Sequence, residues 1–158
     1  MMRIGQGFDA HRFGAMRPLM LAGVEVPHTT GLIAHSDGDV VIHALCDAIL
    51  GAAGMDDIGQ LFPDSDPVYK NADSRVLLRQ VRDLVYQQKW QLVNVDVTVV
   101  AQVPKIAPFR KIMRDTLAVD LGIDAGFVNV KATTTEGMGF TGRSEGIAAL
   151  AVCLLQST

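Results

Sequence analysis

The sequence predicts an α+β fold, a two-layer sandwich in which a mixed β-sheet carries helices packed on one face. Helical and strand-like patterns are interspersed along the chain, and one helical pattern is amphipathic, as expected of a helix that covers a sheet. The length of 158 residues suits one domain, residues 1–158, and the 49% hydrophobic content is enough for a buried core.

The first half of the chain combines extended segments with one apolar helix. Residues 2–10 are predicted to form a strand, and residues 19–26 an extended segment with a turn at Gly23. Residues 37–54 predict a helix with acidic residues in its first turn, apolar on most sides and therefore deeply packed. Residues 54–74, rich in Asp, Pro and Gly, are either a solvated connection or a mobile active-site lid.

The second half alternates helices with strands. Residues 72–88 predict the amphipathic helix: Leu77, Val81, Leu84 and Val85 share one face, and Arg75, Arg79, Arg82 and Asp83 lie mainly on the other. Residues 91–102 are predicted to form a strand and residues 107–122 a second amphipathic helix that ends at Gly122; strands follow at residues 127–135 and 146–156.

Charge and hydropathy exclude several classes of protein. The net charge of -3 argues against a nucleic-acid surface. No apolar run is long enough for a membrane span, and the first ten residues lack the pattern of a signal peptide. We therefore expect a cytoplasmic protein that binds neither nucleic acid nor a membrane. Cys46 and Cys153 lie far apart in apolar surroundings, which predicts buried free thiols.

A polar pair in the segment GFDAHRF interrupts the apolar start of the chain. Because side chains alternate along a strand, Asp9 and His11 point to the same side. His43 lies on the apolar helix, and two imidazoles with one carboxylate are a common ligand set for catalytic zinc. The residues alone leave alternatives open: Asp39 in place of Asp9, Cys46 as a further ligand, or a turn-capping pair beside a core histidine.

Residues just ahead of the apolar helix have the character of an anion site. His35 and Ser36 precede a helix whose first N–H groups and dipole attract phosphate. The alternative is structural, with Ser36 or Asp37 acting only as the N-cap of the helix.

Residues 131–146, named here the glycine-rich segment, have the most unusual composition of the chain. Three hydroxyl residues, Thr133, Thr134 and Thr135, precede Glu136, and four glycines and Arg143 follow. Hydroxyl groups and exposed backbone can hold phosphate oxygens, and one carboxylate can bind Mg²⁺. A flexible hairpin is the alternative.

Together these motifs resemble the 2-C-methyl-D-erythritol 2,4-cyclodiphosphate synthase family of the non-mevalonate isoprenoid pathway. The segments RIGQGFDAHRF, GLIAHSDGDVVIHAL, DIGQLFPDSDP, NVDVTVVAQVPK and VNVKATTTEGMGFTGRSEGIAA carry the resemblance over nearly the whole chain. The resemblance implies a phosphorus–oxygen lyase that cyclises 4-diphosphocytidyl-2-C-methyl-D-erythritol 2-phosphate and releases CMP. It also implies a homotrimer whose active sites are shared between subunits.

The resemblance further assigns roles to individual positions. It implies zinc or another divalent cation at Asp9, His11 and His43, and magnesium or manganese with the substrate diphosphate at Glu136. Two catalytic positions fall on His35 and Thr134. The positions that match contacts with the cytidine diphosphate-linked substrate are Asp9, His11, His35, Ser36, Asp57, Ile58, Gly59, Phe62, Asp64, Lys70, Ala101, Lys105, Ala132, Thr133, Thr134, Thr135, Glu136, Phe140 and Arg143.

Two departures from the family pattern stand out. The family often has an aromatic residue or histidine where Gln6 stands, and usually Lys-Leu where Gly137 and Met138 stand. None of these positions is a metal ligand, so the departures bear on affinity more than on reaction type.

Overall fold

A five-stranded mixed sheet organises the computed structural model, which describes residues 1–158. Its strands run in the order β4-β1-β7-β5-β6, antiparallel throughout except for the parallel pair β5 and β6, while β2 and β3 form a separate hairpin. The strands are β1 (Met2–Ala15), β2 (Leu19–Leu21), β3 (Val24–Val26), β4 (Gly31–Leu32), β5 (Trp90–Val100), β6 (Val128–Thr133) and β7 (Gly146–Ser157).

The helices confirm the predicted second layer. They are α1 (Val40–Ala53), α2 (Ile58–Leu61), α3 (Ser74–Gln87), α4 (Arg110–Leu121) and α5 (Gly139–Gly142), with short 3-10 turns at Pro67–Tyr69, Ala107–Phe109 and Ala125–Phe127. Helix α1 packs on β1 and β7, α3 on β5, and α4 on β6. The fold is therefore the expected α+β sandwich. None of these helices has the length and apolar character needed to cross a lipid bilayer.

Helix α1 begins three residues later than predicted. The Asp39 side chain accepts a hydrogen bond from the Ile42 N–H and is the N-cap, and Gly38 turns the chain with a φ of 79°. The first turn of α1 therefore contains no acidic residue, and the prediction that it does is wrong. The local reason is that a capping carboxylate satisfies a free helix N–H only from outside the helix.

One hydrophobic core fills the space between the sheet and the helices. Helix α3 contributes Leu77, Leu78, Val81 and Val85, so the predicted amphipathic face is present, with Leu78 fully buried and Leu84 only partly buried. Both cysteines are buried and free, as predicted.

The face of the sheet opposite the helices has no covering layer. Phe8 is 54% exposed on β1, and its register partner Leu150 on β7 is 40% exposed. Ile4 and Val152 are exposed on the same two strands. We name these four residues the open face; a monomer rarely leaves apolar sheet surface of this kind uncovered.

Candidate active site

Three side chains from two distant segments of the chain, β1 and α1, converge near the start of α1. The His11 Nε2 lies 2.7 Å from the Asp9 Oδ2 and 3.0 Å from the His43 Nδ1. The His43 Nδ1 lies 3.2 Å from the same Asp9 oxygen. One ligand atom from each residue falls within 4.8 Å of the other two, which is the geometry of a group that can hold a divalent cation.

Two glycines of β1 allow α1 to approach closely enough to form this group. A Cβ placed on Gly7 would lie 1.9 Å from the carbonyl oxygen of Ala44, and one on Gly5 would lie 1.9 Å from that of Ala48. Helix and strand are therefore in backbone contact along this line. His43 directly precedes Ala44, so the same contact brings its ring to the two polar side chains that follow Gly7 on that face of β1.

Asp39 does not belong to the metal-binding group. Both of its oxygens accept backbone hydrogen bonds: Oδ1 from Ala22 and Ile42, and Oδ2 from Gly23. The alternative in which Asp39 replaces Asp9 is therefore excluded by the geometry. Cys46 is also outside the group.

The far side of the His43 ring meets two hydroxyl groups. The His43 Nε2 lies 3.0 Å from the Ser36 Oγ and 2.9 Å from the Ser74 Oγ. Ser74 donates its hydroxyl proton to the Asp37 Oδ1, 2.5 Å away, and the backbone N–H of Ser74 donates to the Asp37 Oδ2. His43 is therefore held at both ring nitrogens.

Opposing effects shift the pKa values of the cluster. Burial alone would raise the pKa of Asp9, but hydrogen bonds from His11 and His43 outweigh it and hold the pKa well below its ordinary value. Burial alone would lower the pKa of His43, but the hydrogen bond to Asp9 and the charge of Asp9 raise it. The result is a carboxylate that stays ionised next to two imidazoles, which suits cation binding.

Residues 32–36, named here the serine loop, carry the two predicted phosphate contacts. The guanidinium of Arg17 donates to the carbonyl oxygens of Leu32, Ala34 and Ser36. The His35 Nε2 is buried and has no hydrogen-bond partner. One arginine thus fixes the backbone of a loop that presents an unsatisfied ring nitrogen.

A cavity of about 380 Å³ opens over the metal-binding group. Thirteen residues line it: Asp9, His11, Ala34, His35, Ser36, His43, Asp47, Ile58, Gly59, Phe62, Asp64, Tyr69 and Leu77. The structure therefore brings together the predicted metal ligands, residues of the serine loop and five residues of the 54–74 segment. The 54–74 segment contains α2 and a 3-10 turn. It therefore forms a partly helical wall of the cavity.

Other predicted site residues lie outside this cavity. Asp57 caps α2 by accepting from the Gln60 N–H, and Lys70 follows the 3-10 turn. Phe140 lines a second concavity together with His11, and Arg143 pairs with Glu145.

The glycine-rich segment and the start of the 101–105 segment lie at the same end of the sheet as the cavity, on other strands. In one row across the sheet, Ala10 pairs with Ala148, Ala148 with Val100, and Val100 with Thr133. At a strand spacing of about 4.8 Å, this row places Thr133 about 14 Å from Ala10. Ala101, Lys105, Ala132 and Thr133 to Glu136 therefore do not line the cavity.

The glycine-rich segment forms a tight, hydrogen-bonded turn. Thr135 donates to the carbonyl oxygen of Met138, and the Glu136 N–H donates to the Thr134 Oγ1. Glu136 has a φ of 53°, and its side chain is exposed. A Cβ on Gly142 would lie 2.2 Å from the Gly137 carbonyl carbon, so the turn folds closely on itself.

Sequence reasoning missed several residues around the cavity. Asp47 lines the cavity and accepts a hydrogen bond from the Ile58 N–H, which ties α1 to α2. Burial raises its pKa. The sequence did contain a signal for Asp47: it lies four residues after His43, a spacing that places both side chains on the same face of α1. Tyr69 and Ser74 gave no such signal, since each reaches the site only through the packing of its segment.

The fold and this site define the class: an α+β enzyme scaffold with a group that can hold a divalent cation in the lining of a cavity. Residues 2–156 match the model of the YgbB family. The chain belongs to the YgbB family, whose curated relatives carry the name 2-C-methyl-D-erythritol 2,4-cyclodiphosphate synthase.

Comparison with individual proteins agrees with this assignment. The synthase of that name from Shewanella sp. (strain W3-18-1) is 63% identical over 153 residues, which cover 97% of this chain and 95% of the relative. The bifunctional IspDF of Campylobacter jejuni is similar over this whole chain, with a TM-score of 0.97 and 51% identity; the match spans 43% of that longer protein. A CDP complex of IspF from Plasmodium falciparum matches with a TM-score of 0.87 and 38% identity, over 99% of this chain and 97% of that one.

Proposed function

We propose that this chain cyclises 4-diphosphocytidyl-2-C-methyl-D-erythritol 2-phosphate to 2-C-methyl-D-erythritol 2,4-cyclodiphosphate with release of CMP, a step of non-mevalonate isoprenoid biosynthesis. The observation that carries the proposal is the convergence of Asp9, His11 and His43 beneath a cavity that also contains His35 and Ser36. The family membership and the synthase name of relatives above 60% identity support it.

The reaction balances without an added base. An oxygen of the substrate 2-phosphate forms a bond to the β-phosphorus, the bond from that phosphorus to the bridging oxygen breaks, and CMP leaves with the electron pair. The attacking oxygen is already an anion, so the protein has to hold two phosphates in line and offset their charge. A site built from hydrogen-bond donors and metal ligands fits this requirement.

The residues of the cavity supply the positioning. The Nε2 of His35, which has no hydrogen-bond partner within the chain, is proposed to donate to a phosphate oxygen, and Ser36 follows it on the serine loop. Zinc or a similar cation held by Asp9, His11 and His43 would polarise a diphosphate oxygen as a Lewis acid. Ile58, Gly59, Phe62 and Asp64 line the opposite wall, with Asp57 and Lys70 nearby in the same segment, and are proposed to hold the methylerythritol part.

The remaining predicted residues are proposed to hold the cytidine diphosphate part. They are Ala101, Lys105, Ala132, Thr133, Thr134, Thr135, Phe140 and Arg143, with Glu136 as the ligand of a magnesium or manganese ion and Thr134 as a catalytic group. A relative with CDP bound supports a nucleotide site in this fold. Exposed hydroxyl and carboxylate groups on one turn suit a hydrated cation that bridges to phosphate.

We propose further that the working form is a cytoplasmic homotrimer of one-domain chains with active sites completed between subunits. The open face supports this, because a second and third copy would cover its exposed apolar residues. The separation of the proposed nucleotide-binding segments from the cavity also supports a trimer. Within one chain Thr133 lies about 14 Å from Ala10, so a neighbouring subunit would have to bring its own nucleotide-binding segments to the cavity. Buried free thiols agree with a reducing compartment.

The decisive experiment is ³¹P NMR of the product formed from the diphosphocytidyl substrate. Cyclic diphosphate and CMP in equal amounts are expected. An opened phosphate product would identify a phosphohydrolase, and unchanged substrate would identify a silent binding module; either result would overturn the proposal.

The metal assignments have separate tests. His11→Ala and His43→Ala are expected to lose zinc while remaining folded, because a three-ligand site rarely survives the loss of one ligand. Glu136→Gln is expected to keep zinc but lose most turnover that depends on Mg²⁺ or Mn²⁺. Full zinc occupancy in His43→Ala, or an unchanged magnesium dependence in Glu136→Gln, would contradict the respective assignment.

Shared active sites are tested by complementation. His11→Ala and Thr134→Val are each expected to be inactive alone. Mixed trimers formed by subunit exchange are expected to regain activity, because some interfaces then pair two intact halves. Confirmed exchange without any return of activity would show that each site lies within one chain.

A further inference from the structure

The hydrogen bond between His43 and Ser74 has only one consistent direction. An ionised Asp37 carboxylate can only accept, so the single hydroxyl proton of Ser74 points to the Asp37 Oδ1. The Ser74 Oγ, 2.9 Å from the His43 Nε2, then has no proton left to donate to the ring. It can therefore only accept, and the His43 Nε2 must carry a proton.

This direction determines which ring nitrogen faces the cation site. In the neutral ring, a proton on Nε2 leaves the His43 Nδ1 with a lone pair directed toward the Asp9 and His11 ligand atoms. The Nδ1 hydrogen bond to Asp9 belongs to the charged ring, and a bound cation would displace that proton. The opposite tautomer would place a proton on Nδ1, where Asp9 offers an acceptor at 3.2 Å, and would block a metal. Ser36 does not decide between the two, because its hydroxyl can donate to or accept from the ring.

We propose that Ser74, oriented by Asp37, is a positioning residue for the metal site: it accepts the Nε2 proton of His43 and so reserves Nδ1 for a divalent cation. The inference rests on the proposed metal role of the Asp9, His11 and His43 group. Burial supports this positioning role. Ser74 is 0% exposed and His43 is 8% exposed, so water does not compete for the hydrogen bond between them.

A purely structural role for Ser74 can be separated from this one. Ser74 begins α3, but the N-cap is Asp73, whose side chain accepts from the Arg75 N–H. The backbone N–H of Ser74 still reaches Asp37 after the hydroxyl is removed. Ser74→Ala therefore deletes the contact to His43 while leaving the helix cap in place, and Asp73→Ala does the reverse.

The test measures zinc affinity of the full chain by competition with a chelator, at one pH and one protomer concentration, with the urea unfolding midpoint recorded in parallel. Ser74→Ala and Asp37→Asn are expected to bind zinc about 10- to 100-fold more weakly. Ser74→Thr keeps the hydroxyl and is expected to restore most of the affinity. Asp73→Ala is expected to lower the unfolding midpoint without changing zinc affinity.

Two results would overturn the inference. One is zinc affinity within about twofold of the unmodified chain in both Ser74→Ala and Asp37→Asn. The other is an equal loss of affinity in Asp73→Ala, which would assign the effect to a loosened α3. His43→Ala serves as the reference. If His43→Ala keeps full zinc affinity, the assignment of the metal site itself is wrong. If His43→Ala loses zinc while Ser74→Ala keeps it, only the positioning role of Ser74 is wrong.

Discussion

Gly7→Ala tests whether backbone contact between β1 and α1 builds the cation site. The added Cβ would lie 1.9 Å from the Ala44 carbonyl oxygen and 2.8 Å from the Ala48 amide nitrogen. Both obstacles are helix backbone, which cannot rotate away as a side chain does. Because real Cβ contacts essentially never fall below 3.0 Å, α1 has to retreat from the strand by roughly 1 Å or more.

The retreat has two measurable consequences. Overpacking of a core contact typically costs about 1–3 kcal/mol of unfolding free energy, and the upper part of that range is expected here because an entire helix must move. His43 moves with α1, so its Nδ1 leaves the position now 3.0 Å from the His11 Nε2. A misplacement of this size can lower turnover by about 100-fold. Zinc affinity is expected to fall as well.

Gly51→Ala is the matched control. It makes the same substitution inside α1, where the nearest atom to the new Cβ is the Gln6 carbonyl oxygen at 4.0 Å. This change is expected to stabilise the chain by about 0.5–1 kcal/mol, because alanine loses less backbone entropy in a helix than glycine. Urea unfolding at fixed protomer concentration and chelator competition measure both effects. Unfolding free energy within about 0.5 kcal/mol of the unmodified chain and unchanged zinc affinity in Gly7→Ala would refute the reasoning.

Three further predictions concern other parts of the chain. Arg17→Lys is expected to raise KM about tenfold in steady-state kinetics with unchanged zinc affinity, because an ammonium group cannot span the carbonyls of the serine loop; an unchanged KM would contradict this. Neither cysteine is expected to react with a disulfide reagent at about pH 8 before denaturation, since burial raises the pKa of Cys153 to about 12 and that of Cys46 well above its ordinary value; rapid labelling of the native chain would show otherwise. Asp120→Asn is expected to lower the free energy of unfolding in urea by about 1–3 kcal/mol, because it removes a buried charge that two arginines share; a change below about 0.5 kcal/mol would mean the pairs contribute little.

Local periodicity was sufficient for the long strands and helices and for two of the three residues of the metal-binding group, but it did not predict the short helices α2 and α5. Alternation along β1 places Asp9 and His11 on the same face, and Gly122 ends α4 with a φ of 69° as its residue type predicts. Both results depend on geometry within a few consecutive residues. The family resemblance added His43 as the third ligand, which spacing alone had left open.

Contacts between segments could not be predicted in the same way. The arginines of α3 were placed on the face away from the core, yet Arg75 and Arg79 bind the buried carboxylate of Asp120 on α4. Nothing in the order of residues indicated that partner, because it lies more than 40 positions away and is reached only by the packing angle of two helices.

The sequence by itself determined which residue types can ligate a cation and where the long strands and helices lie, since both follow from residue type and from backbone periods of two and 3.6 residues. Only the tertiary structure decided that Asp39 caps a helix while Asp9 faces the cavity, and that Ser74 accepts from His43. The physical reason is that a hydrogen bond needs atoms within about 3 Å. That distance depends on how closely α1 and α3 pack, which for α1 is set by the missing Cβ atoms of Gly5 and Gly7.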